Sequence, residues 1–141
     1  MIVVDTNVVS EIMRPRPDAS VLAWFDYQPP DVLWLNSIVA AELMLGVAKL
    51  AVGARKRQLV EIVRKMLEDD FAGRVLTFDL ASASVYAEIC AQRERVGRPI
   101  AISDAQIAAI CLAHGTSLAT RNERHFDALE LNIINPWNYA A

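Results

Sequence analysis

Ile2-Val3-Val4-Asp5-Thr6-Asn7-Val8-Val9-Ser10-Glu11 decides how the rest of the chain is read. Ile2, Val3 and Val4 form a β-branched run that suits a buried strand. The run stops at Asp5-Thr6-Asn7, where a strand hands over to a loop or helix, so the first strand ends on an acid. Beyond it, helical and extended stretches alternate. A short helical turn is closed by Pro15 and Pro17, and Asp18 caps a second helix carrying Val21, Leu22, Trp24 and Phe25, which Pro29-Pro30 terminates. Val32–Leu35 reads as strand two. Ser37 is the expected N-cap of a helix running through Leu50, with Glu42 inside it.

The segment from Arg55 to about Asp70 is amphipathic, with Leu59, Ile62, Val63, Met66 and Leu67 assigned to one side and charges opposite, and Gly73 marks its exit. Val75–Phe78 is the expected third strand. Asp79 then caps a helix with Val85, Tyr86 and Ile89 inward, closed by Gly97 and Pro99. Ser103 and Gln106 have capping-box spacing, the apolar run from Ile107 propagates that helix with Asp104 as its first residue, and Gly115 stops it. Ser117–Thr120 and Asn132–Ile134 complete a set of five strands. Strands alternating with helices predict an α/β layer fold with a mainly parallel sheet, whose functional crevice lies beyond the carboxyl ends of the strands. Asp5 and Thr120-Arg121-Asn122 belong there.

Composition narrows the function classes. At 141 residues the chain is expected to form a single domain, residues 1–141, large enough to bury a core without disulfides. Its 54% hydrophobic and 22% charged residues argue against disorder, and the excess hydrophobicity implies an exposed apolar face that a partner covers. The longest apolar run, Ile107 to Ala113, is too short to span a membrane, and the amino terminus lacks the basic region of a secretory signal, so a cytoplasmic protein is expected. Cys90 and Cys111 have no CxxC spacing and only two histidines accompany them, which excludes a zinc cluster and leaves buried thiols. His114 and His125 read as surface or capping groups. A net charge of −3 does not by itself predict a nucleic-acid binder, although basic residues cluster, among other places, at Arg93/Arg95/Arg98 and Arg121/Arg124.

Asp5, Glu42 and Asp104 interrupt or border apolar stretches, where unpaired acids are costly to bury. Each has a structural explanation taken singly: Asp5 caps the following turn, Asp104 faces a helix dipole, and Glu42 pairs with a base such as Arg121. Taken together they require more, because two unit charges about 4 Å apart repel by on the order of 4 kcal/mol at an effective dielectric of 20. Protonation is one escape. A hard divalent cation, Mg²⁺ or Mn²⁺, is the other, and it brings water to phosphate chemistry. Asp5 and Asp104 would be the main ligands, with Glu42 binding a second ion or orienting the water. Asn7 and Asn122 would hold water, and Thr6, Ser103 and Thr120 would orient the carboxylates.

Four ordered segments stand out: Val4-Asp5-Thr6-Asn7-Val8-Val9-Ser10-Glu11, Ala41-Glu42-Leu43-Met44-Leu45-Gly46, Ile102-Ser103-Asp104-Ala105-Gln106-Ile107-Ala108-Ala109 and Ala119-Thr120-Arg121-Asn122. As a set they resemble the PIN-domain ribonucleases, and among these the VapC and FitB toxins of type II toxin–antitoxin modules. The closing Asn135-Pro136-Trp137 resembles FitB. The resemblance implies a PIN-like three-layer fold, a mainly parallel five-stranded sheet flanked by helices, and RNA cleavage with Mg²⁺ or Mn²⁺ in an acidic pocket. It assigns the family's first three acids to Asp5, Glu42 and Asp104. Its fourth acidic position falls on Asn122, an amide that adds no charge, which favours one metal over two. It also implies a cognate antitoxin that blocks the pocket and carries the operator-DNA contact, and a homodimer within a toxin–antitoxin hetero-oligomer. Arg121 and Arg124 then become the candidates for holding the RNA backbone.

Two rivals are separable. An aspartyl-phosphate phosphatase needs an acid two residues after its nucleophile, and Asn7 stands there. A non-catalytic domain that only sequesters a ligand or forms a repressor complex would have no need of the acidic trio.

Overall fold

The computed structural model describes residues 1–140. Five short strands, β1 (Ile2–Val4), β2 (Leu33–Asn36), β3 (Val75–Leu76), β4 (Ser117–Ala119) and β5 (Ile133–Ile134), form one parallel sheet in the order β3-β2-β1-β4-β5. Six helices flank it: α1 (Thr6–Ile12), α2 (Ala19–Tyr27), α3 (Ser37–Ala48), α4 (Ala54–Lys65), α5 (Leu80–Arg95) and α6 (Ile102–His114). This is the expected PIN-like α/β layering. β1 is central, which explains why its three residues are all apolar: Val3 and Val4 are fully buried, with Leu35, Leu118, Ile107 and Ile110.

Register fixes the site. Val4 pairs with Ala119, so Asp5 and Thr120 leave the sheet side by side, tied by the Asp5 N–H donating to the Ala119 carbonyl at 2.9 Å. On the other flank, Thr120 N–H donates to the Ile134 carbonyl, also at 2.9 Å.

Several local expectations shift. Asn36, not Ser37, caps α3: its buried side chain accepts from the Val39 N–H at 2.9 Å, because β2 runs one residue further than Leu35. The Ser103 capping box does not form. α6 begins at Ile102 with Ala101 in the cap position, which places Ser103 inside the first turn and Asp104 third in the helix rather than first. Ile62 is exposed: Leu59, Val63 and Met66 follow one helical stripe, while Ile62, one residue from Val63, points about 100° away. β3 ends at Leu76, two residues early, and the Phe78 N–H donates to the Ser37 hydroxyl instead of a neighbouring strand. β5 is likewise shorter than expected, beginning at Ile133. The α4 segment ends in one wider π turn, Met66–Asp70.

The remaining caps hold. Asp18 accepts from the Ser20 and Val21 N–H groups, Asp79 from Ser82, and Gly115 takes the left-handed conformation at φ 66° that ends α6. Cys111 is buried, and burial pushes its thiol pKa up to about 12, which makes it inert at neutral pH; Cys90 is only half-buried. No helix among the described residues is long and apolar enough to cross a membrane.

Candidate active site

Asp5 is 5% exposed, and its carboxylate carries two jobs. Oδ1 accepts the Thr6 N–H at 2.8 Å, capping α1 as the purely structural explanation requires. Oδ2 accepts the Thr120 hydroxyl at 2.7 Å and the Asn7 side-chain N–H at 3.3 Å. Thr120 Oγ1 in turn accepts from Asn7 Nδ2 and from the Asn122 backbone N–H, each at 3.1 Å, while Asn7 Oδ1 accepts the Arg121 backbone N–H at 3.2 Å. The loop after β4 is thereby fastened to the loop after β1. Thr120 donates to the carboxylate it is expected to orient, and Asn7, expected to hold water, donates to the same carboxylate; Asn122 enters through its backbone, with its side chain at the exposed head of a 3₁₀ turn over Glu123–Phe126.

Glu42 reaches the same end of the sheet from α3, which packs on α1, and Asp104 reaches it from the first turn of α6. Burial pushes the Asp5 carboxyl up; the hydrogen bonds from Thr120 and Thr6 oppose that rise, and the Asp104 charge adds to it. Burial also raises Glu42, with further repulsion from Asp5 and then Asp104. The three acids thus share one electrostatic neighbourhood. Glu42 does not pair with Arg121, whose guanidinium lies over the Trp137 ring 4.9 Å from its centroid.

Two depressions are lined by the other two acids. Thr6 and Glu42 line one of about 250 Å³, and Asp104 lines another of about 450 Å³ together with Arg93, Arg98, Arg124 and His125. Arg124 therefore lines the same depression as Asp104. Ser103 is half-buried in the first turn of α6 and caps nothing. His125 is exposed, as the reading of a surface group expects, and its Nδ1 also lies 3.1 Å from Asp104 Oδ2. Sequence reasoning missed that contact, and missed Arg93, because 21 and 11 residues separate His125 and Arg93 from Asp104; the adjacency of His125 to Asn122 and Arg124 was the available signal.

The donor set suits a hard divalent ion only in one form. Among the described residues no three His, Cys, Asp or Glu side chains close around a common point. An all-protein cage of the Ca²⁺ or Zn²⁺ kind is therefore a poor match, whereas Mg²⁺ is commonly held by one or two carboxylates and retained waters. The Thr6 hydroxyl supports that fit. It comes near enough to Glu42 to oppose the rise in its pKa, yet it lies outside hydrogen-bond geometry and is a buried oxygen with no partner, beside two acids that repel each other. A hydrated cation satisfies both needs.

Comparison with known proteins agrees with this arrangement. The PIN domain family model matches residues 2–131. The plasmid stability protein StbB of Pseudomonas syringae pv. tomato is 46% identical over 137 residues, covering 97% of this chain and 99% of the relative. The VapC ribonuclease Y4jK of Sinorhizobium fredii is 43% identical, covering 99% and 100%, and the toxin FitB of Neisseria gonorrhoeae 41%, covering 98% and 99%. The solved structure of FitAB bound to an IR36 DNA fragment superposes with a TM-score of 0.92 at 39% identity, covering 100% of this chain and 99% of its counterpart. With that match along almost its whole length, and with its acids brought to one end of a parallel sheet, the chain belongs to the PIN-domain family, among the VapC and FitB ribonuclease toxins.

Proposed function

We propose that this chain is a Mg²⁺- or Mn²⁺-dependent endoribonuclease and the toxin of a type II toxin–antitoxin module. The observation that carries the proposal is the gathering of Asp5, Glu42 and Asp104 in one electrostatic neighbourhood, where burial first and mutual repulsion after it raise the Asp5 and Glu42 pKa values. Asp5 and Asp104 hold the ion, with Glu42 beside them. The ion supplies the positive charge that offsets the acids and the charge developing on a phosphoryl group.

The remaining work belongs to the chain. Thr120 and Asn7 fix the rotamer of Asp5, so that the carboxylate is already oriented before substrate arrives. Glu42, half-exposed on α3, orients the attacking water through its carboxylate oxygens. Asn122 offers an amide at the position that the family resemblance gives to a fourth acid, which keeps the local charge compatible with one metal. Arg124 and Arg121 hold the RNA backbone, Arg121 already braced on Trp137.

The FitAB–DNA complex supports a partner of the antitoxin kind, and by the family resemblance that partner carries the operator-DNA contact. Exposed Met44, Leu45, Val60 and Ile62 on α3 and α4, and Leu80 and Ile102 elsewhere, supply apolar surface for such a partner and for a homodimer. A single domain acting in the cytoplasm fits this assignment.

The test is cleavage of mixed RNAs by the purified, partner-free chain. Cleavage that needs Mg²⁺ or Mn²⁺, stops with chelator and is absent from Asp104→Asn is the expected result. RNA bound but left intact under all metal conditions would replace the proposal with a non-catalytic binding protein.

A further inference from the structure

The larger of the two depressions, the one that Asp104 lines, contains a feature that the acids do not explain. Arg93, on α5, lines this cavity of about 450 Å³ and is only 8% exposed. Its guanidinium is partly satisfied: Nη2 donates to the Asp127 carbonyl at 2.9 Å and meets Asp127 Oδ1 at 3.5 Å, and Nη1 donates to the Arg98 carbonyl at 3.4 Å. Its Nε–H is buried with no partner. Buried donors are almost always paired, so the orphan Nε–H leaves Arg93, whose side chain lines the cavity, with capacity for a further acceptor.

The charges nearby specify what kind of acceptor. Arg98 lines the same cavity and grips the Asp127 carboxylate with contacts of 3.0 Å to both oxygens. Arg124 lines it from the Glu123–Phe126 turn and is exposed. Three guanidinium groups, those of Arg93, Arg98 and Arg124, line the cavity with one carboxylate, Asp104, while Asp127 pairs with Arg98 and Arg93. Guanidinium groups match phosphate oxygens through paired N–H donors. The space exceeds what a single carboxylate fills, and Asp104 forms part of its wall, so a strand lying over the acids continues into it.

We propose that this cavity is a phosphate subsite that takes one backbone phosphate of the RNA strand next to the bond being cut, through the guanidinium groups of Arg93, Arg98 and Arg124. The proposal rests on the ribonuclease reading of the acidic site and extends it to a second point of attachment on the same strand. Arg93 is the built-in element, held by the chain whether or not RNA is present. Arg98 and Arg124 are the adjustable ones.

Binding of a short fluorescent RNA in chelator separates this subsite from catalysis. Arg98→Ala and Arg124→Ala, both at exposed positions, should each weaken binding about five- to tenfold and make the slope of log K against log salt shallower by about 0.7 for each phosphate no longer neutralised. In the unmutated chain, the ¹⁵N-resolved Nε–H resonance of Arg93 should move on RNA addition. Unchanged affinity and salt slope in both variants, or an Arg93 resonance that ignores RNA, overturns the subsite. A resonance that moves with inorganic phosphate but not with RNA overturns it in favour of a free-anion site. Metal-dependent cleavage is measured in parallel: cleavage with an unresponsive cavity sinks the subsite alone, whereas a responsive cavity without cleavage leaves the subsite standing and sinks the nuclease.

Discussion

The Thr120 hydroxyl donates to Oδ2 of Asp5 at 2.7 Å, across 115 positions of sequence and between two adjacent parallel strands. Thr120 is fully buried, and the same oxygen accepts from Asn7 and from the Asn122 backbone. One hydroxyl therefore aims a carboxylate and anchors the loop that follows β4.

Replacing it by an isostere without the hydroxyl, Thr120→Val, removes a buried hydrogen bond to a charged group and takes the acceptor from the Asn122 N–H, while the Asn7 amide keeps its bond to Asp5. Urea unfolding should show destabilisation of about 1.5–3 kcal/mol, with a fall in cleavage rate, and Thr120→Ser should recover most of both.

Asp5→Asn and Asp104→Asn should each reduce metal-dependent RNA cleavage by at least about 10²-fold while circular dichroism remains that of the folded chain. Full activity in either variant would remove that residue from the metal-holding role.

Metal-free stability should fall as pH rises from about 4 toward neutrality. Asp5 and Glu42 have pKa values raised above their ordinary 3.8 and 4.5, so in this range the folded state holds protons that the unfolded state has released. Stability is then highest while they are protonated and declines as each ionises. Asp79, lowered by hydrogen bonds from Ser82, and Asp127, lowered by Arg98, act in the opposite sense, and their support is lost only as pH falls through and below 3.8. Thermal melts in chelator between pH 4 and 8 should slope downward, and Glu42→Gln should flatten the slope and raise Tm at pH 7.5 by about 1–2 °C, a small effect because Glu42 is partly solvated.

Mn²⁺ at about 100 times its dissociation constant should stabilise the folded chain by about 2.7 kcal/mol, which a melt records as a rise of roughly 6–10 °C. Asp5→Asn should abolish the rise. An equal shift in the variant would mean that the ion binds elsewhere.

Asn36→Ala should cost about 1–2 kcal/mol by removing the cap of α3, and should lower cleavage as well, since α3 carries Glu42. Denaturation and activity measured on one preparation check both.

The local chemistry of the chain already determined much of this. An apolar β-branched triplet ending in Asp5, caps at Asp18 and Asp79, and a glycine stop at Gly115 follow from backbone and side-chain preferences that act over a few residues. The same short-range logic made Asp5, Glu42 and Asp104 conspicuous, because acids within apolar runs need compensation wherever they end up. Tertiary structure decided what those rules cannot reach. The register Val4 to Ala119 put Thr120 on Asp5, the extra residue of β2 moved a cap from Ser37 to Asn36, and packing set His125 against Asp104. Arg93 is the clearest case. On its own it reads as one more charge on a helix, and only the return of the chain through Asp127 buries it, leaves its Nε–H without a partner and opens a cavity beside it. Hydrogen bonds, burial and repulsion depend on distances in space, and residues 34 or 115 positions apart acquire those distances only when the sheet and helices close around them.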